Sequence, residues 1–161
     1  MSLISQEEFL ALKPKRKRLI GLDIGNKTVG IAVSDTSWLI ASPLKLLKRT
    51  NITTDIKALL AVYKECSSCC FVAGLPMNMN GSEGPQAEVV RSFINFLLTQ
   101  DDVPVFLWDE RLSTVAVTRT LLEADLSRKR RAEVVDKMAA TYILQGSLDL
   151  SCAHERQSFK D

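Results

Sequence analysis

The segment LIGLDIGNKTVGIAVSD, residues 19–35, decides the fold. Two apolar runs, Leu19 to Ile24 and Val29 to Val33, flank a Gly25-Asn26-Lys27 turn, and this pattern predicts a β-hairpin. Asp23 interrupts the first apolar run. Burying an unpaired carboxylate costs several kcal/mol. We therefore expect Asp23 to have a partner, which could be a hydrogen-bond donor, a cation or a bound metal.

Length and composition favour a single globular domain. The chain has 161 residues, of which 46% are hydrophobic and 25% are charged, a composition typical of a folded soluble protein. The sequence has no apolar run near the roughly 18 residues of a membrane helix. Its N-terminus also lacks the basic-then-apolar order of a secretory signal. We expect a cytoplasmic protein with no membrane contact.

Strand and helix patterns alternate along the rest of the chain. A third extended segment, residues 38–50, carries Pro43, which favours an edge strand. A helix, a strand, a second helix and a further strand follow. Two more helices are predicted, from Ser113 to about Ala124 and from about Ala132 to Leu148, with a basic loop between them. Because strands joined through helices pair in parallel, we expect an α/β fold. Its mixed sheet has three antiparallel strands first and parallel strands after them, and helices flank it.

The two ends of the chain are predicted to lie outside this domain. Residues 1–16 are expected to form a mobile polar leader with a short helix at Gln6 to Leu12, and residues 151–161 a polar tail. Residues 17–150 form the predicted domain. His154, the only histidine, lies in the tail, and we expect no catalytic role for it.

Cys66 and Cys69 have the C-x-x-C spacing of a zinc site. Two further ligands would have to come from Cys152 and His154 near the C-terminus. The segment that begins at Cys69 is apolar. It therefore favours reduced thiols in the core over a zinc site.

Carboxylates occur where a parallel sheet forms its sites, at the carboxyl ends of strands. Asp23 is near the end of the first strand, and Asp109 and Glu110 end a later one. Because side chains alternate along a strand, only one of that pair can share a face with Asp23. The pattern does not indicate which of the two it is. Asp136, early in the last helix, is a third candidate, although an acid there also complements the helix dipole.

Carboxylates that converge on one point repel each other unless a cation lies between them. Mg²⁺ accepts carboxylate oxygens and completes its shell with water and substrate phosphate. A pair of such ions can activate a water and stabilise the leaving oxygen of a phosphodiester. Phosphodiester hydrolysis is therefore the predicted chemistry.

Four segments together resemble the bacterial YqgF family. They are GLDIGNKTVGIAVSD (21–35), GLPMNMNGSEGPQAE (74–88), WDERLST (108–114) and DKMAATYILQGSLD (136–149). Members of the family are described as Holliday-junction resolvases and as nucleases for the 5′ end of pre-16S ribosomal RNA. The resemblance covers roughly residues 18–149. It implies a ribonuclease-H-like fold, Mg²⁺ or Mn²⁺ as cofactor, and structured RNA such as pre-rRNA, or branched DNA, as partner.

The resemblance also implies which acids act. It assigns Asp23, Glu110 and Asp136 as a catalytic triad that binds the metal, and it thereby prefers Glu110 to Asp109. Asn80 stands where the family usually has the aspartate of an NMDG stretch, so this loop is not expected to supply a metal ligand.

Basic and polar residues near these acids are candidates for contact with nucleic acid. Lys27 lies in the hairpin turn, and Arg111 follows Glu110. The Gly-rich loop at residues 81–84 precedes a helix N-terminus that could hold a phosphate. A basic run precedes the helix of Asp136. The predicted nucleic-acid-binding residues are Lys27, Ser82, Arg111, Arg128, Lys129, Arg130 and Arg131.

Four functions are considered for a sequence with these features. The leading one is a metal-dependent endonuclease for structured RNA. A Holliday-junction resolvase would use the same triad on DNA and is expected to form a homodimer, so that two sites meet two strands. A non-catalytic nucleic-acid-binding factor would bind RNA in a salt-sensitive way. The hairpin is also similar to the phosphate-binding hairpin of actin and sugar-kinase ATPases. Those proteins pair two related lobes, and this sequence has no second copy.

Overall fold

The computed structural model describes residues 3–12, 16–112 and 128–158, with side chains in the last range from residue 138 onward. Its elements are β1 Leu3–Ile4, α1 Gln6–Ala11, β2 Arg18–Ile24, β3 Thr28–Ser34, β4 Ala41–Lys48, α2 Ile52–Glu65, β5 Ser68–Leu75, α3 Pro85–Gln100, β6 Val105–Asp109, a 3-10 turn Glu110–Leu112, and α4 Arg128–Ser158. The helix predicted from Ser113 to about Ala124 lies outside the described residues.

The described strands form one sheet in the order β1-β6-β5-β2-β3-β4. The β2–β3 and β3–β4 pairs are antiparallel, whereas β2–β5 and β5–β6 are parallel. This confirms the mixed sheet and the ribonuclease-H-like fold that the resemblance implied. β4 is an edge strand, as Pro43 predicted.

The predicted hairpin is formed by β2 and β3. Asp23 lies opposite Gly30 and Ile24 opposite Val29. The N–H of Gly25 donates to the carbonyl of Thr28 at 2.9 Å and closes the turn. β2 is apolar along almost its whole length because helices cover both faces of the sheet.

Each face of the sheet has its own core. On one face Ile20 and Leu22 pack in a cluster with residues of α2 and α3 such as Leu59 and Phe93. On the other face Leu19 packs in a cluster with α4 residues, among them Ala140, Ile143 and Leu144. We call these the α2–α3 face and the α4 face. Alternate residues of β2 therefore point to different helices.

Residues 3–11, which the sequence predicts as a mobile polar leader, contact the domain in the structure. β1 pairs in parallel with β6. Phe9 in α1 is 0% exposed, and its ring centroid lies 4.4 Å from that of Phe106 and 6.0 Å from that of Trp38. Ser5 caps α1 by accepting from the N–H of Glu8 at 3.2 Å. Phe9 is buried on the α4 face, and Ile4, Leu10 and Leu12 pack around the same core.

Replacing Phe9 by alanine is expected to lower the free energy of unfolding by about 3–5 kcal/mol, the usual cost of truncating a buried phenylalanine. Urea denaturation measures this change. Glu7→Ala, at an exposed position of the same helix, is the control and should stay within about 0.5 kcal/mol of wild type. A loss below about 1 kcal/mol for Phe9→Ala would show that the leader does not unfold together with the domain.

The last helix is longer than predicted at both ends. The basic run at residues 128–131 belongs to the first turn of α4 and is not a loop, and α4 continues past Leu148 to Ser158, through most of the predicted polar tail. Leu148 and Ser151 are both buried, so contacts with the domain continue beyond the expected end. No described helix is long and apolar enough to cross a membrane.

The cysteines are thiols. All four are free, and Cys70 is buried, as predicted. Burial raises the pKa of the Cys70 thiol far above its usual value and that of Cys69 to about 11. Both thiols are therefore protonated at neutral pH.

Candidate active site

Asp23 is the next-to-last residue of β2 and is half-buried. It shares the alternation of Leu19 and Gly21. A Cβ on Gly21 would lie 2.7 Å from Cβ of Leu144, so this side of β2 faces α4. Asp23 therefore lies on the α4 face, at the edge of the sheet where β2 ends.

Glu110, and not Asp109, lies on the same face. In β6, Trp108 packs in the α4 core and Leu107 packs against the α2–α3 core, so alternation puts Asp109 on the α2–α3 face. Glu110 follows in the 3-10 turn, and its Oε1 lies 2.6 Å from where a Cβ on Gly74 would be. Gly74 itself faces Ile143 of α4. The choice that the sequence pattern left open is therefore settled by which face of the sheet each side chain occupies.

Gly74 provides the space between the two acids. β5 lies between β2 and β6, and Leu22 pairs with Ala73, so Gly74 is beside Asp23. Because position 74 has no side chain, the Glu110 carboxylate leans over β5 toward β2.

Asp136 lies in α4, four residues and hence one helical turn before Ala140. The carbonyl oxygen of Ala140 lies 2.9 Å from where a Cβ on Gly21 would be. The side chain of Asp136 is outside the described residues. Among those that are described, no group of three or more His, Cys, Asp or Glu side chains could hold a metal ion. The triad therefore stays a prediction, of which Asp23 and Glu110 share one face.

Asp109 orients Arg111. Asp109 Oδ2 accepts from Nη2 of Arg111 at 2.7 Å, and Oδ1 accepts from the backbone N–H of Arg111 at 3.0 Å. The hydrogen bonds from the Arg111 side chain lower the pKa of Asp109, although desolvation opposes them. Arg111 Nη1 also donates to the carbonyl of Met79 at 3.5 Å. The guanidinium is exposed and is held between Asp109 and the loop before α3.

The loop before α3 is organised by its own side chains. Oδ1 of Asn80 accepts from the N–H of Ser82 at 3.0 Å and from its hydroxyl at 2.6 Å. The hydroxyl of Ser82 accepts in turn from Nδ2 of Asn78 at 2.9 Å, and Gly81 has φ +86°. An aspartate at position 80 could accept the same hydrogen bonds, so this position shapes the turn. Ser82, predicted to contact nucleic acid, uses its hydroxyl within the loop.

The remaining predicted contacts are cationic. Lys27 is exposed in the hairpin turn. The backbone of Arg128, Lys129, Arg130 and Arg131 forms the first turn of α4; their side chains lie outside the described residues. Lys27 and Arg111 thus lie at the sheet edge where β2 and β6 end.

Arg49 is a residue that the sequence analysis missed. Its backbone N–H donates to the carbonyl of Lys27 at 2.8 Å, and its Nη1 donates to that of Gly25 at 2.8 Å. The guanidinium also lies 3.8 Å from the buried carboxylate of Asp55 and stacks over Phe93, with Cζ 5.1 Å from the ring centroid. Arg49 therefore fastens the turn after Asp23 to α2 and α3. Gly25, Lys27 and Phe93 are distant from Arg49 in sequence, so no local pattern predicts these contacts.

The donor chemistry of the site fits a hard divalent cation. Asp23 and Glu110 offer carboxylate oxygens, the ligands that Mg²⁺ and Mn²⁺ prefer. The glycine between them keeps the space free of a side chain. A cation there would also relieve the repulsion between the two acids.

Comparison with known proteins gives consistent matches. The sequence profile of a family described as "RuvX: Holliday junction resolvase" matches residues 17–150. A protein of Paramagnetospirillum magneticum is 55% identical over 149 residues, which are 92% of this chain and 96% of that protein. A protein of Cereibacter sphaeroides is 54% identical over 145 residues, 90% of this chain and 91% of that protein. Both are named "Putative pre-16S rRNA nuclease". Among solved structures, Thermus thermophilus RuvC in complex with a Holliday junction substrate matches with 13% identity and a TM-score of 0.49, over 79% of this chain and 91% of that chain.

Proposed function

Because this chain belongs to the RuvX family, we propose that it is a nuclease that hydrolyses phosphodiester bonds at the 5′ end of pre-16S ribosomal RNA. The observation that most supports a hydrolytic site is the pair Asp23 and Glu110, on one face of the sheet and at the edge where the strands end. The proposal implies an enzyme of ribosome biogenesis that works in the cytoplasm.

We propose Mg²⁺ or Mn²⁺ as the cofactor, held by Asp23 and Glu110, with Asp136 as the third ligand. When bound, such an ion neutralises charge on the phosphate and lowers the pKa of water, so that the attacking group forms at neutral pH. The protein itself holds the carboxylates in position. Half-burial of Asp23 on a central strand and the support of Arg49 behind its turn hold one of them.

Positively charged groups around the acids position the substrate in this proposal. Lys27 and Arg111 follow Asp23 and Glu110 in the chain, at the sheet edge where β2 and β6 end, and the basic run at 128–131 begins the helix that carries Asp136. Contacts of this kind fix where a nucleic-acid backbone lies without reading its sequence. Asp109 keeps the Arg111 guanidinium in a defined orientation, so that less of its freedom is lost when a phosphate binds.

The test is cleavage of end-labelled pre-16S leader RNA by wild-type and Asp23→Asn protein. Wild type is expected to cut with Mg²⁺ or Mn²⁺ and not with EDTA. The variant should lose on the order of 10³-fold in rate, because losing a metal-bound charge interaction costs several kcal/mol. Equal rates for the two pure proteins would overturn the proposal. Circular dichroism and thermal unfolding show whether the variant folds.

The family description favours a second candidate, a resolvase for four-way DNA junctions. A junction assayed beside the RNA separates the two: faster, paired cuts in the junction by a dimer would identify a resolvase. Salt-sensitive binding of RNA without any cutting, unchanged by EDTA, would instead identify a non-catalytic binding protein.

A further inference from the structure

A cleft of about 680 Å³ opens between the turn after β2, the connection from β4 to α2, and α3. Its volume is in the range of ligand pockets, about 300–1,000 Å³. Asn26, three residues after Asp23, lines it. The cleft therefore begins at the same sheet edge as the two acids, but on the α2–α3 face.

One wall of the cleft is a stacked cation. Arg49 lies over the ring of Phe93 and is fixed by the carbonyl of Gly25 at 2.8 Å. Its side chain remains 21% exposed and lines the cleft, as does the half-buried ring of Phe96. Nucleobases stack on guanidinium and aromatic surfaces of this kind, whatever their sequence.

The charges of the lining favour a base over a phosphate. The charge of Arg49 is matched by Asp55, which also accepts from the N–H and hydroxyl of Thr50 at 3.1 and 3.3 Å. Glu88 adds an exposed carboxylate, so a phosphate in the cleft would meet net negative charge. An amino or imino N–H of a base is instead a suitable donor to Glu88, and the amide of Asn26 can both donate and accept.

We infer that the cleft binds one unpaired nucleobase of the substrate strand, close to the phosphate that lies at Asp23 and Glu110. This inference rests on the proposed function, because the base belongs to the strand that is cut. The turn Gly25–Lys27 separates the acids from the cleft. A strand that crosses this turn brings its backbone to one face of the sheet and a base to the other. Such a cleft selects cut sites where a strand is unpaired.

The main variant is Ser92→Trp, which fills the cleft from an exposed position of α3. Ala61→Trp adds the same side chain at an exposed position of α2 that does not line the cleft, and it is the matched control. The substrates are leader RNAs in which one nucleotide at a time around the cut is abasic. Each of these RNAs keeps all its phosphates, so an abasic position differs from intact RNA only in the missing base.

Wild type and Ala61→Trp are expected to show a rise in KM of about tenfold at one abasic position, the effect of losing one stacked base. Ser92→Trp should show a similar rise with intact RNA and no further response to that abasic position. The cleft inference is overturned if Ser92→Trp and Ala61→Trp have equal KM on intact RNA, or if no abasic position matters.

Glu88→Gln tests whether the carboxylate of Glu88 accepts a hydrogen bond from the bound base. Cytosine offers an amino group where uracil has a carbonyl, so wild type should bind cytosine at the sensitive position more tightly than uracil, by about threefold to tenfold. The variant should bind both about equally. The same preference in wild type and variant would remove Glu88 from the inference.

A binding signal keeps this test apart from that of the proposed function. RNA with 2-aminopurine scanned through the same positions is titrated in EDTA, where no cleavage is needed. The fluorescence of 2-aminopurine should change at one position when Ala61→Trp binds the RNA, and should not change there when Ser92→Trp binds it. The same response in both variants would contradict the inference that the cleft binds a base. Absence of cutting with this fluorescence difference intact would contradict the nuclease proposal alone.

Discussion

Replacing Glu110 by glutamine is expected to lower kcat by on the order of 10³-fold, whereas Asp109→Asn should keep kcat within about tenfold. The two acids are neighbours in sequence, but they occupy opposite faces of the sheet. Glu110 leans over Gly74 toward Asp23, where a cation would bind. Asp109 is on the other face and forms hydrogen bonds with Arg111.

The Asp109 variant is also expected to raise KM, by about threefold to tenfold, because Arg111 loses the partner that orients it toward a phosphate. Single-turnover and steady-state cleavage of the leader RNA separate the two constants. Isothermal titration with Mn²⁺ adds a readout that does not depend on cleavage: affinity should fall for Glu110→Gln and not for Asp109→Asn. If Asp109→Asn loses kcat as strongly as Glu110→Gln, the assignment by sheet face is wrong.

The choice between these two acids shows how far sequence patterns reach. Alternation along a strand predicts that only one of the two acids can share a face with Asp23. It does not predict which acid does so, because the answer depends on where β6 ends and on which helix covers each face. β6 ends at Asp109 and Glu110 begins a 3-10 turn, and a register that shifts by one residue would exchange the two. The resemblance favours Glu110, and in the structure Glu110 is the one that shares a face with Asp23; its role in the site stays a prediction.

Elements with a strong local pattern were predicted well, and those held by distant contacts were not. The hairpin is contained in two apolar runs that flank a Gly-Asn-Lys turn. Phe9 gives no such signal, since its burial depends on Phe106 and Trp38, distant in sequence. Arg49 likewise contacts Gly25 and Phe93, which are distant from it in sequence.

The start of the last helix was predicted wrongly for a different reason. Charged residues at 128–131 were assigned to a loop because they lack an apolar face. Arginine and lysine nevertheless have good helix propensity, and the apolar periodicity that identified the helix begins only later. A charged first turn of a helix therefore cannot be told from a basic loop by periodicity alone.

Gly74→Ala is expected to lower kcat by about 10²-fold, since a displacement near 1 Å in a catalytic group has an effect of that size. The new methyl group would lie 2.6 Å from Oε1 of Glu110 and would clash with Cδ1 of Ile143, the atom that it approaches most closely. Both contacts are too close, so the carboxylate and the α4 side chain must move. The free energy of unfolding should fall by about 1–3 kcal/mol from the overpacking.

Two further variants separate the loss of stability from the loss of activity. Leu148→Ala removes a fully buried side chain of α4 and should cost about 2–5 kcal/mol of stability. Measured at a temperature where it is folded, it should retain wild-type kcat, because Leu148 lies about 18 Å along α4 from Asp136. Gly74→Ala combined with Ile143→Val removes the terminal methyl of Ile143 and so relieves the clash with α4, but leaves the one with Glu110. This double variant should regain much of the lost stability and keep the low kcat. If stability and kcat recover together, Gly74 serves only the packing of α4, and the space it leaves has no special part in placing the Glu110 carboxylate.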